Sequence, residues 1–130
     1  MTVMNLKTVS AEQALDITRP VEDAVRASGV AEGLAVVYCP HTTAAVFVNE
    51  GADPDVAADV AAALARIAPR EGPYRHAEGN SGAHIRSVLV GCSATIPIAR
   101  GRLALGTWQK VFLAEFDGPR SRQVFVQVVG

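Results

Sequence analysis

The sequence predicts an α+β fold with a mixed or mainly antiparallel sheet, and three observations carry this. Strand-like segments outnumber helical ones, and the two kinds do not alternate along the chain as a parallel doubly wound sheet requires. The longest β signals come last, at Trp108–Phe116 and Gln123–Val129, on either side of the turn-forming Asp117-Gly118-Pro119-Arg120-Ser121-Arg122. That arrangement predicts a closing hairpin with a wide loop.

The remaining elements follow in order. Residues 3–9 read as a strand, and Leu15 and Ile17 add a short extended piece. Thr18 is placed to cap a helix over 19–28, with Pro20 in its first turn, Val21, Ala24 and Val25 on one face, and Gly29 as its stop. Leu34–Cys39, an apolar run between Gly33 and Pro40, has the pattern of a strand covered on both faces, and its end delivers His41. Ala44–Glu50 reads as the next strand. Asp53-Pro54-Asp55 is a strong helix start, after which Val56, Val60, Leu64 and Ile67 recur at helical spacing until Pro69. Ala83–Val90 fits a helix or a strand, and periodicity does not decide between them. Ser93–Ile98 reads as a strand with Pro97 at an edge or irregular position, Arg100-Gly101-Arg102 as a tight turn, and Leu103–Leu105 as the return.

With 130 residues, of which 49% are hydrophobic and 19% charged, the expected organisation is one globular domain over 1–130. No apolar run approaches the roughly 18 residues of a membrane helix. The first residues, Met1-Thr2-Val3-Met4-Asn5-Leu6-Lys7, lack a secretion signal, so a cytoplasmic location is expected. A net charge of -1 offers no general electrostatic reason to bind nucleic acid. Cys39 and Cys92 are not in a CxxC arrangement and are expected to be reduced, buried small hydrophobes.

The stretch that looks like a site is Tyr74-Arg75-His76-Ala77-Glu78-Gly79-Asn80-Ser81-Gly82-Ala83-His84. Gly79 and Gly82 disfavour one uninterrupted helix or strand through both histidines, while Asn80 and Ser81 favour a turn. Such a turn brings two imidazoles eight positions apart toward one point, with Glu78 between them and backbone N–H groups free for an anion.

Five segments occur in order: His41-Thr42-Thr43-Ala44-Ala45, Asn49-Glu50 with Asp53-Pro54-Asp55-Val56, Glu78-Gly79-Asn80-Ser81 with Ala83-His84, Gly106-Thr107-Trp108-Gln109, and Asp117-Gly118-Pro119-Arg120. Together they resemble the signature of the YjbQ family, the secondary thiamine-phosphate synthase enzymes. The resemblance covers nearly the whole chain. It implies a mixed sheet curled into a half barrel with two main helices, a homotrimer with pockets near its subunit interfaces, and a weak activity that joins a pyrimidine diphosphate to a thiazole phosphate with release of pyrophosphate. One position departs from the pattern: Gly82 stands where Asp is usual in Asn-Ser-Asp-Ala-His.

The expected chemistry centres on His41, His76 and His84. Three neutral imidazoles and a water form a common zinc arrangement, so the set is a candidate for a divalent metal, zinc or magnesium, as well as for acid and base work, with Glu50 or Glu78 as proton acceptor or supporting partner. A phosphorylated small molecule or an inorganic anion is the expected partner, bound by the guanidinium forks of Arg120 and Arg122, which follow a Gly-Pro turn, and by the donors of Thr42, Thr43, Asn80 and Ser81. Gln109 is placed to read a ligand edge and Trp108 to stack on a ring. Each has a plainer structural reading as well: Trp108 as core or interface packing, Arg120 paired with Asp117, Arg122 facing solvent at a strand start, and Asp53 and Asp55 serving the helix start. The alternative to an enzyme is a non-enzymatic trimer that binds a metal or small anionic metabolite.

Overall fold

The computed structural model describes residues 1–130. In chain order the elements are β1 (Thr2–Lys7), β2 (Gln13–Asp16), α1 (Thr18–Ser28), β3 (Gly33–Tyr38), β4 (Ala44–Glu50), α2 (Pro54–Ile67), α3 (Ser81–Val90), β5 (Ser93–Ala99), β6 (Arg102–Leu103), β7 (Gln109–Glu115) and β8 (Ser121–Val129). The fold is α+β. A five-stranded sheet ordered β1-β8-β3-β5-β6 and a three-stranded sheet ordered β2-β7-β4 curl round a shared core as a half barrel, and every strand pair is antiparallel.

Strand alternation explains the core. Ala35 and Val37 of β3, Val124 and Val126 of β8 and Ile96 and Ile98 of β5 point inward, where they meet Val21 and Val25 of α1 and Val111 and Leu113 of β7. β7 is buried on both faces, because its other side, with Ala114 and the following Phe116, packs against Ala45 and Ala83 in a second small cluster.

The structure corrects several expectations. β7 and β8 are not a hairpin: β7 already has β2 and β4 on its two edges, and β8 lies between β1 and β3, so the Asp117–Arg120 link carries the chain from one sheet to the other. Thr18 does not cap α1. The helix begins after Ile17, and the Thr18 hydroxyl instead accepts the Val111 N–H at 2.9 Å, tying α1 to β7. The undecided segment at 83–90 is helical, a third helix beside the two expected ones. Asp53 caps α2 as expected, its Oδ1 accepting the Asp55 N–H at 2.9 Å with Pro54 in the first position. The apolar face of α2 is not sealed, however; none of its residues is buried, and Ile67 is 67% exposed. Cys39 is buried but Cys92 is exposed, because it lies in the link between α3 and β5, outside the strand alternation. Both thiols are free. No helix is long and apolar enough to cross a membrane.

Candidate functional site

The stretch 74–84 divides at Ser81, where α3 begins. The chain arriving from α2 is held against α3 by Arg86 Nε, which donates to the Ala68 carbonyl at 2.8 Å, and is folded on itself by the Tyr74 hydroxyl, which donates to the Pro69 carbonyl at 2.6 Å. This approach explains Gly82. A Cβ there would lie less than 3.0 Å from the Pro69 carbonyl oxygen and 3.2 Å from that of Ala68, so a side chain has no room beside the connection.

The same geometry brings His76, from the irregular segment, to His84, one turn into α3. Their ring centroids are 5.5 Å apart in an edge-to-face arrangement, and Glu78 Oε2 lies 3.5 Å from His76 Nε2. Tyr74, Arg75, His76, Ser81, His84 and Ile85 line an open cleft of about 450 Å³. Two imidazoles, a guanidinium and the start of a helix, where the Ala83 and His84 N–H groups are taken by the Asn80 carbonyl but those of Ser81 and Gly82 precede the first helical bonds, suit negatively charged oxygens and proton transfer to or from them.

His41 does not join this pair within one chain. Its Nε2 accepts the Gln123 N–H of β8 at 2.8 Å, which leaves Nδ1 as the protonated nitrogen of the neutral ring. Burial, and then the neighbouring Arg122 guanidinium, depress its pKa and favour that neutral form. No group of three histidine, cysteine, aspartate or glutamate side chains within the chain is arranged to hold a metal ion. A catalytic zinc takes about three protein ligands, so the residues of one protomer do not by themselves fit one.

Several expected ligand residues have structural employment. Thr43 is buried, and both its hydroxyl and its carbonyl accept from Arg122 Nη2, at 2.8 and 3.1 Å. Arg122 does not face solvent: its side chain is 5% exposed and grips the fully buried carboxylate of Glu115 through both Nε, at 2.9 Å, and Nη2. Arg120 is paired with Asp117, as its plainer reading held, donating through Nε to the Asp117 carbonyl at 2.7 Å and through Nη2 to the carboxylate at 3.0 Å. The Asn80 amide donates to the same carboxylate at 3.0 Å, which leaves Asn80 Oδ1 buried without a partner. Glu50 accepts the Ala52 and Asp53 N–H groups at 2.7 and 3.0 Å, shaping the entry to α2. Gln109 Oε1 accepts the Gly106 N–H at 2.8 Å. Thr42 remains exposed, Ser81 lines the histidine cleft, and Trp108 is 64% exposed, so it is no part of the core of this chain.

Two carboxylates organise this region although neither was singled out as a site residue from sequence. Burial pushes the Glu115 carboxyl upward, but hydrogen bonds from Arg122, Thr8 and the Asp117 N–H outweigh it and hold the pKa below the ordinary range. Asp117 follows the same logic, with Asn80 and Arg120, assisted by Arg70, overcoming its desolvation. Glu115 carries no sequence signal beyond an acid closing an apolar strand; Asp117 is visible as the first residue of a Gly-Pro turn and as a pairing partner for Arg120.

Comparison with known proteins agrees with this architecture. The family model described as "UPF0047 protein YjbQ-like" matches residues 2–130. The chain belongs to this family. Among UPF0047 relatives, MJ1081 of Methanocaldococcus jannaschii is 49% identical over 96% of this chain and 91% of its own length, and YugU of Bacillus subtilis is 43% identical over 98% and 97%. A solved YjbQ/UPF0047 structure from Clostridium acetobutylicum superposes with a TM-score of 0.98 at 50% identity, covering 99% of this chain and all of that one. A YbjQ-like protein of Sulfolobus solfataricus, described as of unknown function, gives a TM-score of 0.96 at 30% identity, over 99% of this chain and 95% of that one. The UPF0047 fold thus extends to this chain over its full length, while the family designation states no activity.

Proposed function

We propose that this UPF0047 protein is a small enzyme of phosphate chemistry that works at the His76–His84 cleft, with a reaction like that of the secondary thiamine-phosphate synthases. A pyrimidine diphosphate and a thiazole phosphate combine there to give thiamine phosphate and pyrophosphate. The observation that carries this reading is the 5.5 Å approach of the two imidazoles in a cleft that also presents Arg75 and the first turn of α3. In such a reaction negative charge develops on the departing pyrophosphate. Arg75 and the helix N-terminus offset that charge, and His84 or His76 supplies or accepts the proton, with Glu78 orienting His76. Arg120 and Asn80, held by Asp117, stiffen the base of α3 instead of binding the substrate directly.

Replacing His84 by Ala should lower thiamine phosphate formation by about 10²-fold or more, the usual contribution of a positioned acid or base, while circular dichroism and the melting temperature stay unchanged. Turnover equal to that of the parent in a folded His84→Ala protein would count decisively against the assignment.

A second reading rests on the same imidazole pair: a non-enzymatic homotrimer in which His41 of one copy completes a zinc or magnesium site with His76 and His84 of another, or which binds a small anionic metabolite without turning it over. Titration calorimetry separates the readings, because tight binding of pyrophosphate or zinc without turnover supports the second, and efficient kinetics on a defined substrate excludes it.

A further inference from the structure

Between α2 and the three-stranded sheet lies a cleft of about 350 Å³ that shares no residue with the histidine cleft. Its existence follows from residue size. The α2 face turned toward the sheet offers Ala57, Ala58 and Ala61 around Val60 and Leu64, and the sheet offers Ala14 and Ala114 beside Phe47, so small side chains largely meet small side chains where a filled layer would place large ones. This is why α2 has no buried residue despite its apolar periodicity. Apolar space left open beside a helix in this way is conspicuous as a binding volume.

The cleft also has a polar wall. Arg86 of α3 reaches it with a side chain only 4% exposed. Its Nε is taken by the Ala68 carbonyl and its Nη1 by Glu12 at 2.7 Å, but Nη2 has no protein acceptor. Asn80 Oδ1 is the one side-chain atom both sealed from solvent and unpartnered, so Nη2 remains reachable from outside. Glu115 contributes a carboxylate already saturated by Arg122, Thr8 and the Asp117 N–H, Glu12 one that holds Arg86 Nη1, and Gln13 an amide whose Oε1 accepts the Val9 N–H, so Arg86 Nη2 and Gln13 Nε2 are the donors with capacity to spare. A buried guanidinium with a free amino group beside an apolar volume matches a ligand with an apolar body and an acceptor at one end.

We propose that this cleft is a binding site for a small, largely apolar molecule ending in a carboxylate or sulfonate-like acceptor, its body against Phe47, Leu64 and Phe116 and its acceptor on Nη2 of Arg86. The site is separate from the phosphate chemistry proposed above and stands or falls independently of it.

Anilinonaphthalene sulfonate, an aromatic body with one anionic group, is the probe, and neutral phenylnaphthylamine is its control. The full-length protein should bind the sulfonate saturably, at one site per chain and about tenfold more tightly than the neutral compound, the margin of one charge-assisted hydrogen bond. Ala61→Phe fills the cleft without touching Arg86 and should weaken binding at least about tenfold. Because that variant introduces bulk beneath a helix, amide chemical-shift mapping on the unmutated protein provides a second readout. Shifts concentrated in α2, Phe47 and Ala114 are expected. Equal affinity for the two compounds, binding unaffected in a folded Ala61→Phe protein, or shifts confined to exposed apolar residues such as Val88, Leu89 and Trp108 would overturn the proposal.

Discussion

Arg122 of β8 and Glu115 of β7 form a buried ion pair that joins the two sheets across the link at which the chain passes from one to the other. The carboxylate also accepts the Thr8 hydroxyl at 2.7 Å and the Asp117 N–H at 3.1 Å, and the guanidinium also bonds Thr43, so both ions have their hydrogen-bonding capacity well used.

Breaking this pair from one side should therefore be severe. Arg122→Met leaves Glu115 charged and buried without its main partner, and about 3–5 kcal/mol of stability should be lost in urea or guanidinium melts. Pairing it with Glu115→Leu removes the stranded charge and should recover a large part of that loss. A small effect of Arg122→Met would show that the carboxylate is solvated or protonated in the folded protein.

The carboxylates also set the response to acid. Glu115 and Asp117 have folded pKa values below their ordinary ones, so the unfolded chain binds protons more readily. Their contribution is fully present above the unfolded values of about 4.3 and 3.9 and is lost as pH falls through the lower folded values. The depressed His41 has the same sign at higher pH: stability should begin to decline below about 6.5, since a protonated ring cannot accept the Gln123 N–H. Unfolding free energy measured from pH 8 to 3 should show a shallow upper decline and a steeper one below about pH 4, with His41→Gln removing only the first.

Gly82 lies against the Pro69 carbonyl, and this position tests how the α2–α3 connection is packed. Introducing the aspartate expected here from the family motif should destabilise the protein by about 1–3 kcal/mol unless residues 68–69 move away. A Gly82→Asp protein that melts like the parent, with Tyr74 and Arg86 still bonded to that connection in a crystal structure, would contradict the packing described.

Trp108, the single tryptophan, is 64% exposed in one chain and serves as a reporter of assembly. In the trimer reading it is expected to be shielded between copies, so iodide quenching should weaken as concentration rises through the assembly range. Quenching that does not change with concentration, together with a monomer mass by sedimentation, would remove the trimer from consideration.

Much of the fold was legible in the sequence because the signals were local. Asp53 and Pro54 start α2, Gly29 ends α1, and short apolar or β-rich runs between turn residues mark β3, β4 and β8, since capping, backbone freedom and strand propensity each act within a few residues. The Tyr74–His84 stretch was likewise readable, because glycines and turn formers on either side of Asn80 force His76 and His84 off a single element. Strand partners were not. Whether β7 pairs with β8 depends on which edges are already occupied, and a plausible turn sequence joins two sheets as readily as it closes a hairpin. Tertiary packing alone decided that Arg122 is buried and Glu115 is its partner, because two isolated charges disclose their environment only when the strands carrying them are brought together. It also decided that His41 faces Gln123 and that α2 stands off a sheet lined with alanine, for the strength of an apolar stripe does not say how completely the opposite surface fills the space.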